Sequence, residues 1–168
     1  MSHCYLIFSL DEEATGWRME AAQLQAEYPK RWPDAEPYSE HPAPGEVEWK
    51  VRFPDGAWLR AHLPPGGDSF ILRGFLERVA DAACWYRSLV PPEQGLFLSD
   101  DVYHCAMLLM PDTTPAQILD HFLHGPTTTE IDPLTGAPYP GSEGQKAKKL
   151  TWPSFIARAS LDLVCAWG

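Results

Sequence analysis

Positive charge is what this chain has least of. Against 23 Asp and Glu it sets 13 Lys and Arg, a formal net charge of −10 with an isoelectric point near 4.9. Nucleic-acid binding draws most of its affinity from Lys and Arg that neutralise phosphates, so the balance argues against that class of partner. An anionic membrane surface is disfavoured for the same reason. Nor does any apolar run approach the roughly 20 residues that cross a bilayer. The first apolar stretch, Cys4 to Leu10, has no basic residue before it and is followed at once by Asp11, Glu12 and Glu13. That pattern lacks the basic start and small-residue cleavage site of a secretory signal. The expectation from these absences is a soluble, cytoplasmic protein with no membrane partner.

Clustered cysteines are missing too. Cys4, Cys84, Cys105 and Cys165 are far apart, without a C-x-x-C pair, and each sits in an apolar stretch. A reduced cysteine in such a place behaves as a small hydrophobe, so free thiols are expected. The chain also lacks G-x-x-x-x-G-K-[ST], G-x-S-x-G and H-E-x-x-H, and it has no internal repeat. The segment from Pro64 to Ser69, PPGGDS, has the glycines of an anion loop but no Lys, and Asp68 would repel a phosphate. A turn and a helix cap account for it.

What is present reads as a single α+β domain over residues 1–168, with 45% apolar and 21% charged residues. His3 to Leu10 is predicted as a strand. Asp11 to Tyr28 is predicted as a helix that Pro29 ends, with its acidic start at the positive end of the dipole. Five prolines then fall between Pro29 and Pro44, so residues 29–45 form an irregular loop, and Trp32 and Tyr38 would pin it. Glu46 to Phe53 and Ala57 to Leu63 alternate as strands around Pro54-Asp55-Gly56, a hairpin turn. A helix capped by Asp68 or Ser69 and running to Val90 follows from the spacing of Ile71, Leu72, Phe75, Leu76, Val79, Ala83 and Tyr86.

Leu96 to Ser99 and Val102 to Leu109 read as one bent strand or a strand pair. Thr114-Pro115-Ala116-Gln117 fits a capping box opening a short helix to about His124, which Gly125-Pro126 stops. Residues 126–149 carry no periodicity and read as a mobile loop. Residues 153–167 fit helix and strand patterns alike and lean to helix. The predicted class is therefore an antiparallel sheet with helices on one face. Its order suggests a ferredoxin-like βαββαβ arrangement with a helical extension.

Three constellations could carry chemistry. In SDDVYHCAMLLM, Asp100 and His104 would share one strand face about 13 Å apart, too far for a carboxylate to orient a histidine. Cys105, Met107 and Leu109 then face the core, and Asp100 and Asp101 make a turn. His121 and His124, at i and i+3 of a helix, could face one metal with a third ligand from His104, Cys105 or Asp120. Their place at a helix end is equally explained by the dipole, so no metal and no cofactor is assigned.

The third constellation is Trp32 and Tyr38 among Asp34, Glu36 and Glu40. Seven tryptophans exceed ordinary usage, and aromatics ringed by charge are what interfaces use as anchors. The expected function is a non-catalytic acidic module that binds another protein with a basic surface through Trp32, Asp34, Glu36, Tyr38 and Glu40. An inhibitor or immunity-type protein that neutralises a basic enzyme has this size and charge. Two alternatives stay open: a small enzyme using His104 or His121 as base, and a structural subunit of a larger assembly.

Overall fold

Residues 3–9 and 17–125 are described by the computed structural model. In chain order they form β1 (His3–Ser9), α1 (Ala21–Arg31), β2 (Glu36–Pro37), β3 (Val47–Arg52), β4 (Trp58–Leu63), β5 (Ser69–Gly74), α2 (Leu76–Ser88), β6 (Leu96–Asp100), β7 (Ala106–Leu108) and α3 (Pro115–His124). The strands build one sheet in the order β2-β3-β4-β5-β1-β6-β7. Every neighbouring pair is antiparallel.

The predicted class, an antiparallel sheet with helices on one face, is the class found. Leu24 of α1, Val79, Ala83 and Tyr86 of α2 and Ile118 of α3 join Trp49, Leu59, Phe70, Ile7 and Leu98 in one core. Alternation along each strand sends the intervening residues to the other face. β1 lies between β5 and β6 and runs antiparallel to both, and the sheet holds seven strands where the expected ferredoxin-like βαββαβ arrangement has four.

The hairpin and the capping box form as their local sequences dictate. Gly56 takes φ +82° in the β3–β4 turn, a conformation a side chain would strain. The Thr114 side chain accepts the Gln117 backbone N–H while the Gln117 side chain accepts the Thr114 N–H.

Two helices differ from expectation. Residues 17–20 are not helical, α1 starts at Ala21 with no acidic residue in its first turn, and residues 11–16 lie outside the described residues. Pro29 stands inside the helix and does not end it. A proline there removes one backbone bond near a solvent-facing end, while Tyr28 and Trp32 on either side pack against the core and hold the turn.

The second helix begins at Leu76, and Ser69–Gly74 is a strand. Both faces of β5 are buried at Ser69, Phe70, Ile71 and Leu72, which gives a continuous apolar run with no period to read. Gly74 then makes the break, since a Cβ there would stand 2.7 Å from the Trp58 carbonyl oxygen. Consequently PPGGDS leads into a strand and caps no helix. Its Gly67 packs against the backbone of Met19, whose N–H donates to the Gly67 carbonyl at 3.2 Å. Residues 126–149 and 153–167, with Cys165, lie outside the described residues.

Candidate functional site

The stretch from Asp100 to Cys105 is a turn, not a strand, and this changes its geometry. β6 ends at Asp100, and the chain reverses through Tyr103 at φ +54° to enter β7. The separation expected between Asp100 and His104 is therefore wrong. The Asp100 carboxylate accepts the backbone N–H of His104 at 2.7 Å and of Cys105 at 3.3 Å. These bonds favour the charged form, yet burial outweighs them and raises the Asp100 pKa above the usual carboxylate range. Tyr103 is held by stacking on Phe8, ring centres 6.2 Å apart.

Cys105 and His121 do come together, across β7 and α3. They meet through backbone atoms: the Cys105 thiol points at the His121 carbonyl at 3.7 Å, and His121 Nε2 lies 2.8 Å from the Ala106 carbonyl. A carbonyl only accepts, so His121 Nε2 carries a proton and donates it there. Burial, and then the charge of Asp100, push the Cys105 thiol up to about 11. A thiol at that value is not the thiolate that a nucleophile or metal ligand needs at neutral pH. His124 stands exposed at the end of α3. Among the described residues no three His, Cys, Asp or Glu groups converge as metal ligands.

The proline-rich segment is where surface chemistry collects, with one correction. Trp32 is not an exposed anchor: it is 7% exposed and packs edge-on against Trp85 at 4.8 Å, within reach of Trp49. The cap of α1 carries it inward, because its N–H bonds the Tyr28 carbonyl and continues the helical turn. Arg31, one residue earlier, reaches across to Asp81 of α2 with both carboxylate oxygens within 2.8 Å. Asp34, Glu36 and Glu40 are exposed, and Tyr38 shows 48% of its surface.

Tyr38 is positioned by residues that sequence reading missed. Its backbone N–H donates to the Glu48 carbonyl at 3.2 Å, and the Arg60 guanidinium lies 3.5 Å from its ring centre. Glu48 in turn takes Arg60 Nε at 2.6 Å. Beside them His62 meets Glu46 at 2.8 Å, and Glu46 also accepts the Ala43 N–H. The hairpin register held the signal. A turn centred on Asp55 sets Lys50 opposite Arg60 and Glu48 opposite His62, with Glu48 and Arg60 as diagonal neighbours. Neither family models, curated proteins nor solved structures match this chain.

Proposed function

We propose that this chain is an acidic protein-binding module of the cytoplasm, and that its partner offers a basic surface to the Tyr38 edge of the sheet. One observation carries the reading. Tyr38 is a half-exposed aromatic fixed in place by Arg60 and Glu48, with exposed carboxylates at Asp34, Glu36 and Glu40 along the same segment. A ring that is already immobile loses little entropy on binding, and carboxylates around it steer a cationic partner. The net charge of −10 extends that steering over the whole molecule. An inhibitor or immunity-type protein acting on a basic enzyme is the specific form we favour. The thiol and imidazole groups that could have served catalysis, Cys105 and His121, are engaged with backbone carbonyls.

The test is a gentle low-salt purification from the protein's own cells, read by native mass spectrometry and followed by binding kinetics on any protein held at fixed stoichiometry. Exchanging Asp34, Glu36 and Glu40 for their amides is expected to slow association about tenfold at low salt. Tyr38→Ala is expected to speed dissociation about tenfold or more. A partner bound equally well by both variants would overturn this surface, and a bare monomer at low salt would overturn the reading.

A further inference from the structure

An open cleft of about 540 Å³ lies between the β3–β4 turn and the first turn of α2, lined by Asp55, Gly56, Ala57, Phe75, Glu77 and Arg78. Phe75 is its anomaly. It occupies the N-cap of α2, where Ser, Thr, Asp or Asn would satisfy a helix N–H, and it makes no side-chain cap bond. Phe75 is also 39% exposed, so one position gives up both a cap and the full burial of an aromatic residue. Natural sequences break local rules in this way chiefly where function requires it.

The walls of the cleft are fixed and its floor is open. Asp55 accepts the Ala57 N–H at 3.0 Å and the Arg78 guanidinium at 2.5 Å. Arg78 spreads over the Phe53 ring at 4.2 Å, so its charge is already engaged. Glu77 is exposed, and no cation is paired with it among the described residues. At Gly56 no atom of the described residues stands within 4 Å of where a Cβ would be. A long flat side chain can lie there against Phe75.

We infer that this cleft receives an arginine side chain of the basic partner, its guanidinium stacked on Phe75 and paired with the Glu77 carboxylate. The inference rests on the basic-partner reading above. Arginine is chosen over lysine because a planar guanidinium both stacks on an aromatic ring and bonds a carboxylate. The molecule already uses that combination next door, where Arg78 lies on Phe53 and bonds Asp55.

The experiment needs no partner. Amide resonances are followed while the whole chain is titrated with Nα-acetyl-arginine amide, and again with the neutral isostere Nα-acetyl-citrulline amide. Saturable millimolar shifts at Gly56, Ala57, Phe75 and Glu77 are expected with arginine alone. Phe75→Ala and Glu77→Gln should each weaken them about threefold or more. Glu77→Gln lies on the surface and preserves the fold if Phe75→Ala does not. Equal shifts with citrulline, no saturation, or an unchanged Glu77→Gln response would overturn the cleft while leaving the Tyr38 edge to its own test.

Discussion

Arg87 is the least comfortable residue in the molecule. It is 2% exposed at the last turn of α2, and its Nη2 donates to the Pro91 and Pro92 carbonyls at 3.0 and 3.2 Å. Its Nε and Nη1 are buried without a hydrogen bond among the described residues. Burial lowers its pKa, against a smaller opposing effect of Glu93. The strap it forms over Pro91 and Pro92 therefore comes with the desolvation of a cation that no buried carboxylate among the described residues offsets. Replacing it by Met loses two charge-assisted bonds and also removes that desolvation. Urea denaturation should place Arg87→Met within about 1 kcal/mol of the parent. A loss of about 3 kcal/mol or more would mean that Nε and Nη1 have a buried partner, such as an ordered water. None of this was legible in the sequence, where Arg87 is one more polar position near a helix end. Trp32 misled in the opposite direction, since the prolines around it signal surface while the end of α1 delivers it to Trp85 and Trp49.

At the scale of elements, local chemistry decided some boundaries and tertiary packing the others. The capping box at Thr114 and the Pro54-Asp55-Gly56 turn satisfy their own backbone groups, so short sequence windows suffice to find them. β5 needed its neighbours. Ser69–Gly74 is a strand because β4 and β1 pair with it on either side, and a run buried on both faces shows no alternation. The two kinds of boundary should differ in strength. Thr114→Ala removes one cap and is expected to cost about 1 kcal/mol. Gly74→Ala drives a Cβ to 2.7 Å from the Trp58 carbonyl and must shift the β4–β5 pairing, at about 2–3 kcal/mol. Both are read from the midpoint of urea unfolding. A Gly74→Ala variant as stable as Thr114→Ala would show that β4 and β5 can separate there at little cost.

For the molecule as a whole, charge acts in opposite senses on folding and on association. A net charge of −10 repels itself in the compact state, and salt shortens the range of that repulsion from about 30 Å at 0.01 M to about 8 Å at 0.15 M. Thermal stability should therefore rise by a few degrees over that interval, while the on-rate for a basic partner falls. A melting temperature that dropped with salt would put more weight on the exposed pairs such as Arg31–Asp81 and Arg78–Asp55 than on the overall repulsion.

The sequence by itself determined the α+β class, the β3–β4 hairpin, the capping box of α3 and the sign of the surface charge. Each of these depends on residues within a few positions of one another or on a simple sum. Tertiary structure alone decided that Ser69–Gly74 is a strand beside β1, that Trp32 is core, and that Tyr38 rests on Arg60 above Glu48. It also decided that Asp100 turns back on its own chain to hold the His104 and Cys105 N–H groups. Those outcomes depend on which strands pair and on which buried groups find partners. A one-dimensional pattern carries that information only once the register is known.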